Sequence, residues 1–347
     1  MSVRDIKREY IRFHRQDAPR TDVNVYGRVF KDVVIFGKDS YFNKEAAGAY
    51  YQVAPISVLD GRVHNGGKSS WKLHINGFEF VERPEYDFED HATLLEGKAY
   101  KAARQRVNRE FAPKVLELCK KTAGADKAFW MSSQRRAENA TNKAAEGYAM
   151  GFAHADYGPE NEGQFRVVLE HRYGMSHEYA QECGICLVNL WCPVERPAYK
   201  NPLVLMDCST MKDLEQETIR WKLRMDIDNG YDYQVERSGR KHPRPMRERV
   251  PQAAKDAPAL SPVYNPSHRY VYLPDMQENE AVIFKQIDFR RTEAARASFH
   301  TAVNDFYYKN DQYWDVGRRS IECRIILTWD PPKANAGNPK CKGSARL

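Results

Sequence analysis

The sequence predicts an α+β fold that is mainly β, in which helices of the N-terminal part pack outside an antiparallel jelly roll. Three observations lead to this prediction. A long stretch with helical periodicity lies within the first 150 residues, and short apolar segments bounded by Gly, Pro, Asn and Asp follow it. Of the 347 residues, 42% are hydrophobic and 12% are aromatic, which is enough for a sizeable core.

The N-terminal part begins with a charged segment, residues 1–22, that we expect to form an arm. Short apolar pieces, such as residues 33–36, follow it. Residues 71–81 are predicted to form a hairpin, because apolar residues alternate on both sides of the turn signal Asn76-Gly77.

The strongest helix prediction covers residues 97–121. Val107, Phe111 and Val115 recur there at four-residue spacing, with Arg and Lys on the other face. Pro113 lies inside this pattern and predicts a kink or a break. A second helix is predicted for the Ala-rich residues 139–150.

Segments with the length and composition of strands follow. They span residues 164–169, 183–191, 203–208, 270–273, 281–284 and 320–329. Residues 226–268 form a basic insertion among them that is too long for a simple connection. We therefore expect one domain at 23–329, helical or mixed up to residue 150 and a jelly-roll core from 151, followed by a disordered tail at 330–347.

The net charge of +7 comes from basic residues that are spread along the chain, which favours a solvated surface over a nucleic-acid-binding one. The seven cysteines show no framework spacing. No secretory signal is visible, and no apolar run approaches the ~18 residues of a membrane span. These observations predict a cytoplasmic protein with reduced thiols. We expect no nucleic-acid partner and no membrane partner. Cys183 and Cys186 are interpreted as buried strand residues, because a zinc site needs a second close pair.

His154 and Asp156 are the first candidate metal ligands. On an extended strand, residues i and i+2 project to the same face, so both side chains can bind one ion. The alternative is a histidine that is hydrogen-bonded to Asp156 without any metal.

His300 and residues 318–324 complete the pattern. Two histidines and one carboxylate leave open positions on a metal, as in non-haem Fe(II) oxygenases. Alternate residues from Arg318 to Arg324 share one face of a predicted strand, and a guanidinium with a hydroxyl two residues later, at Ser320, suits a carboxylate. The alternative is a solvated sheet surface with internal ion pairs.

From about residue 152 to 329 the chain resembles a fungal and bacterial hydroxylase/desaturase family that includes gibberellin desaturases and cephalosporin 7-methoxylase components. The matching segments occur in family order; among them are AHADY (153–157), VNLWCP (188–193), PLVLMD (202–207), YNPSHR (264–269), LPDM (273–276), FHTA (299–302) and RRSIECR (318–324). Residues 280–288 also match. The first 150 residues match only near Gly77-Phe78.

The resemblance implies a double-stranded β-helix, the cupin-like jelly roll, in which His154, Asp156 and His300 bind Fe(II). It also implies that Arg318 and Ser320 hold the distal carboxylate of 2-oxoglutarate. The spacing after the second histidine differs from the family pattern, so Arg319 and Arg324 are alternatives for this role.

The implied activity is that of an Fe(II)- and 2-oxoglutarate-dependent oxygenase, which uses O2 to oxidise a C–H bond of a small molecule and forms succinate and CO2. Secondary metabolites and amino-acid-like compounds, including carboxylates, are the expected substrates. Hydroxylation, desaturation and ring closure are all open, as are a monomer and a homodimer. Residues expected near the substrate are Tyr157, Asn189, Trp191, Lys285 and Arg324. The alternative is a catalytically silent jelly-roll protein that binds a small molecule.

Overall fold

Two five-stranded sheets carry most of the fold in the computed structural model of the chain. The structure describes residues 22–30, 51–88, 97–137, 153–198, 202–221, 259–262, 265–302 and 318–331. Several predictions lie outside these residues. They are the arm up to residue 21, the apolar piece at 33–36, the helix at 139–150, most of the basic insertion and the tail beyond residue 331.

The strands are β1 (Asp22–Phe30), β2 (Tyr51–Asp60), β3 (Phe78–Glu82), β4 (Lys127–Ala137), β5 (Gly184–Pro193), β6 (Leu203–Met206), β7 (Thr218–Trp221), β8 (Ala259–Pro262), β9 (Tyr270–Tyr272), β10 (Glu280–Asp288), β11 (His300–Ala302) and β12 (Arg319–Trp329). The helices are α1 (Leu73–Asn76), α2 (Gly97–Arg106), α3 (Ala112–Ala123), α4 (Glu162–Tyr173) and α5 (His177–Glu182).

The first sheet has the order β1-β2-β9-β6-β11 and the second has the order β3-β10-β5-β12-β4. Neighbouring strands are antiparallel except for β2 and β9, which are parallel. Strands β7 and β8 pair with each other in a separate ribbon. Five of the predicted strands are confirmed. They are 183–191 (β5), 203–208 (β6), 270–273 (β9), 281–284 (β10) and 320–329 (β12).

Helices α2 and α3 cover the outer face of the second sheet. Phe111 and Val115 are fully buried there against Ile321 and Ile325 of β12. Burial of side chains of this size contributes about 2 kcal/mol each. The outer face is therefore apolar, and the opposite, inner face of β12 is left for polar side chains.

The predicted break near Pro113 appears as one π-helical turn, Val107–Phe111, between α2 and α3. The N–H of Ala112 donates to the carbonyl of Val107, five residues earlier. Proline has no N–H to continue the α-helical ladder and its ring crowds the preceding turn, which accounts for the wider turn just before it.

Two local predictions are wrong. Leu73–Asn76 is a helical turn rather than a strand, and Gly77 (φ 81°) ends it in the left-handed region, so the Asn-Gly signal marks a helix end here. Residues 164–169 lie within α4, where the buried Phe165, Val168 and Leu169 follow helical spacing.

The division into helices first and strands later is also incomplete, since β1 to β4 all precede residue 150. Strand β4 matters most, because it pairs with β12 over nearly its whole length. Among the described residues, no helix is both long enough and apolar enough to cross a membrane.

Candidate metal centre

The segment with the first two candidate ligands is extended and is fixed by backbone hydrogen bonds on both sides. His154 and His300 exchange two N–H···O bonds of 3.1 and 3.0 Å. Ala155 exchanges two with Leu260 of β8, at 2.8 and 3.0 Å. The N–H of Asp156 donates to the Gln286 side chain at 2.8 Å. The backbone therefore holds His154 next to His300 and sends Asp156 to the same side.

The three side chains meet as the sequence predicts. One ligand atom from each of His154, Asp156 and His300 lies within 4.8 Å of the other two. Nε2 of His154 is 3.6 Å from Oδ1 of Asp156, longer than a hydrogen bond. Metal–ligand distances of roughly 2 Å place neighbouring ligand atoms about 3 Å apart, so the spacing suits a shared ion better than a direct His–Asp bond. Two imidazoles and a carboxylate are a donor set that fits Fe(II).

The surroundings of His300 and Asp156 favour the protonation states in which these side chains can bind a metal. Burial, together with the neighbouring His154, lowers the pKa of His300 well below its usual value, which keeps its imidazole neutral. Burial alone would raise the pKa of Asp156, but Arg324 and the two histidines outweigh it and the pKa is lowered. A neutral imidazole and an ionised carboxylate are the forms that bind metals.

Arg324 bridges two carboxylates beside the centre. Its Nη2 lies 3.2 Å from Oδ2 of Asp156, the oxygen not turned toward His154, and 3.0 Å from Oε1 of Glu322. The guanidinium thus restricts the Asp156 carboxylate to one orientation.

A pocket opens from the three candidate ligands along the inner face of the second sheet. Its wall includes Arg136, Trp191, Arg318, Glu322 and Arg324. Trp191 and Glu322 are directly opposite each other on β5 and β12. The pocket therefore lies between the two sheets, with cations concentrated on one wall.

The three arginines considered for the dicarboxylate lie in different surroundings. The Arg318 side chain is buried in the pocket wall, with its guanidinium 5.7 Å from the centre of the Trp191 ring. Arg319 forms an ion pair with Glu195, and Arg324 binds Asp156 and Glu322. Ser320 is buried, and its hydroxyl has no hydrogen-bond partner within the described part of the chain.

The predicted substrate residues are only partly brought together. Trp191 and Arg324 line the pocket, and Asn189 is directly opposite Arg324 in the sheet. Tyr157 packs against Phe165 in the core. Lys285 donates to Asp288 at 2.9 Å and to the carbonyl of Ala295 at 2.8 Å in a buried ion pair, so it is not part of the pocket wall.

Sequence reasoning missed Arg136, which the structure places on the pocket wall. The sequence offered no signal for it, because residues 132–136 are all polar and only the strand pairing shows which of them face the pocket. Cys183 and Cys186 are buried free thiols, as expected, and the described residues contain no second group of candidate metal ligands.

No curated protein matches the chain by sequence. Among solved structures, the iron and alpha-ketoglutarate-dependent endoperoxidase NvfI is similar with a TM-score of 0.61 and 17% identity, over 90% of this chain and 100% of that chain. A variant of the same enzyme gives a TM-score of 0.62 and 18% identity, over 91% and 100% of the two chains. This likeness shows a shared fold.

A family model described as an oxidoreductase/YMDC permease-like domain matches residues 34–243 and 244–328. The match covers most of the chain and includes every candidate metal ligand and every arginine of the pocket wall. The chain therefore belongs to the oxidoreductase/YMDC permease-like domain family.

Proposed function

We propose that the chain is an Fe(II)- and 2-oxoglutarate-dependent oxygenase that acts on a small molecule. The observation that carries the proposal is the approach of His154, Asp156 and His300 to within 4.8 Å in a pocket that three arginines also line. The fold shared with NvfI and the oxidoreductase named in the family description support the same class.

When bound, Fe(II) and 2-oxoglutarate would supply oxidation of a C–H bond by O2, with succinate and CO2 as coproducts. The protein's part is to bind and orient. His154, Asp156 and His300 would hold the metal, and Arg324 keeps the carboxylate of Asp156 turned toward it. Burial lowers the pKa of His300, which favours the neutral form that binds a metal.

Arg318 and Ser320 would bind the distal carboxylate of 2-oxoglutarate. Arg318 lines the pocket two residues before Ser320, whereas Arg319 is not part of the pocket wall and is paired with Glu195, and Arg324 contacts the candidate ligand Asp156. The unpartnered buried hydroxyl of Ser320 supports a polar ligand at this point.

We further propose that the two sheets form a double-stranded β-helix within one catalytic domain, residues 23–329. Apart from the β7–β8 ribbon, the chain from β4 onward changes sheet at each step but one: β4, residues 154–155, β5 and β6 alternate, β9 follows β6 within the first sheet, and β10, β11 and β12 alternate again. Such alternation is how a jelly roll winds. Membership of the gibberellin-desaturase and cephalosporin 7-methoxylase group is a finer proposal, supported by the sequence segments alone.

The substrate is proposed to be a secondary metabolite or an amino-acid-like compound, and a carboxylate on it would suit the cationic wall. Hydroxylation, desaturation and ring closure all fit this pocket. A cytoplasmic address, a monomeric or homodimeric state and the lack of nucleic-acid and membrane partners stay predictions from the sequence.

The test is an anaerobic titration of the metal-free protein with Fe(II) and 2-oxoglutarate, followed by the visible absorption band of the chelate. We expect saturation at one iron per chain, and loss of the band in His300→Ala. His177→Ala is the matched control, because that histidine is exposed, pairs with Glu170 and is not part of the pocket wall. A wild-type protein without a band would instead favour the catalytically silent binding protein.

A further inference from the structure

Arg136 lies on the site face of β4. It is directly opposite Ser320 of β12 and lines the same pocket as the candidate metal ligands. Its neighbour Arg135 is buried on the opposite face, with its guanidinium 5.4 Å from the centre of the Phe88 ring. Strand alternation therefore separates the two arginines, and only Arg136 faces the pocket.

The hydroxyl of Ser320 is an unsatisfied polar group in this part of the pocket. Ser320 is 1% exposed, and its Oγ has no hydrogen-bond partner among the residues that the structure describes. A buried hydroxyl without a partner is unfavourable, so such a group indicates a polar ligand. Directly opposed side chains of antiparallel strands have Cβ atoms about 5 Å apart, so an anion bound to Ser320 is also within reach of Arg136.

The charges around the pocket single out the same side chain. Arg319 is paired with Glu195, and Arg324 with Asp156 and Glu322. Within the described ranges Arg136 forms no salt bridge with an acidic side chain, although it lines the pocket together with Asp156 and His300. Its positive charge therefore acts inside the pocket and is not neutralised there by the described side chains.

We propose that Arg136 is a second cationic anchor for the distal carboxylate of 2-oxoglutarate, acting together with Arg318 and the hydroxyl of Ser320. This inference rests on the proposed function. A carboxylate offers two oxygens with about four acceptor sites, which two guanidinium groups and one hydroxyl can fill. The anchors come from β4 and from the start of β12, so the subsite forms only when these strands are paired.

The test compares 2-oxoglutarate with 2-oxopentanoate, which has the same chain length and the same chelating group but no distal carboxylate. Both are titrated anaerobically into the Fe(II)-loaded protein, followed by the chelate band and by calorimetry. Arg136→Gln is expected to weaken 2-oxoglutarate binding on the order of 10- to 100-fold and to leave 2-oxopentanoate binding unchanged. Arg109→Gln is the control, because it removes one exposed arginine on the outside of the fold.

Retention of the wild-type preference for 2-oxoglutarate in Arg136→Gln would overturn the inference, as would equal weakening of both acids. If Arg136→Gln does not fold, Arg136→Lys keeps the charge and is expected to reduce the preference by a smaller factor; an unchanged preference there would also overturn it. Failure of the wild-type protein to bind either acid would instead refute the proposed function itself.

Discussion

Replacement of Arg324 by Lys separates two opposing effects at the candidate metal centre. The guanidinium holds Oδ2 of Asp156 at 3.2 Å, which favours metal binding because it orients the ligand. The same positive charge repels a metal cation. Lysine keeps the charge but lacks the rigid, planar guanidinium that places Nη2 against both Asp156 and Glu322, so the substitution isolates the loss of orientation.

The magnitude follows from the geometry. Unit charges about 4 Å apart at an effective dielectric constant of about 20 interact by about 4 kcal/mol. Both groups are partly exposed, at 27% for Arg324 and 17% for Asp156, so the net contribution is smaller. Loss of a partner that orients a metal ligand typically lowers metal affinity about 10- to 100-fold. We expect Arg324→Lys to weaken Fe(II) binding about 10-fold.

The assay is anaerobic calorimetry of Fe(II) with the wild-type protein, Arg324→Lys and Arg324→Gln. Arg324→Gln is expected to bind less tightly than wild type as well, although it relieves repulsion. Wild-type affinity in the Lys variant, or tighter binding in the Gln variant, would show that Arg324 does not position Asp156 and that repulsion dominates. Glu322→Gln should cause a smaller loss, since it removes the ion pair of Nη2 with Glu322 but keeps the contact of Nη2 with Asp156.

Three further predictions concern other parts of the chain. Arg318→Gln should weaken 2-oxoglutarate binding about 10- to 100-fold in the chelate titration, with Fe(II) affinity nearly unchanged; unchanged 2-oxoglutarate binding would assign the distal carboxylate to another arginine. Leu260→Pro removes the N–H that donates to Ala155 and should weaken Fe(II) binding about 10-fold, whereas Leu260→Ala keeps that bond and should not. Burial would raise the pKa of Glu280, but hydrogen bonds from Arg62 outweigh it and lower the pKa to about 2. Its contribution to stability is thus complete above its usual pKa of 4.5 and is lost as the pH falls toward 2. Glu280→Gln should cost about 3 kcal/mol at pH 7 in denaturant unfolding, and its stability should depend less on pH between 5 and 2.

Two of the three candidate ligands were predictable from a local signal in the sequence. His154 and Asp156 are two residues apart on extended backbone, and a period of two fixes their common face. His300 carries no such signal by itself, and its place in the group came from the order of the segments that resemble a known family. The structure adds the backbone hydrogen bonds between His154 and His300, which explain why residues far apart in sequence meet.

The wrong local predictions have a shared cause. Phe165, Val168 and Leu169 form a short apolar run, and such a run is compatible with a buried strand as well as a buried helix. Around Asn76-Gly77, the alternation of apolar residues resembled a strand, but the left-handed glycine ends a helical turn. In both places only packing against the rest of the fold decides between the two conformations.

Arg136 shows the limit of sequence reasoning more clearly. Strand β4 pairs with β12, although nearly two hundred residues lie between them in the sequence. Neither segment contains a pattern that identifies the other as its partner. Without that pairing, Arg135 and Arg136 look equivalent. The register Arg136↔Ser320 distinguishes them, because it places one guanidinium beside an unsatisfied hydroxyl and leaves the other against Phe88.

The candidate site therefore depends on both sheets at once. The first sheet and the bridge at Ala155 fix the ligand backbone, while β12 of the second sheet supplies the side chains that orient Asp156 and surround the pocket. The outer face of the same strand is packed against α3 through Ile321 and Ile325. Because alternate residues of one strand serve the core and the pocket, a register shift of one residue would exchange the two faces. It would bury Arg324 against the helices and leave Asp156 without its orienting partner, so the packing that stabilises β12 also specifies the geometry of the metal centre.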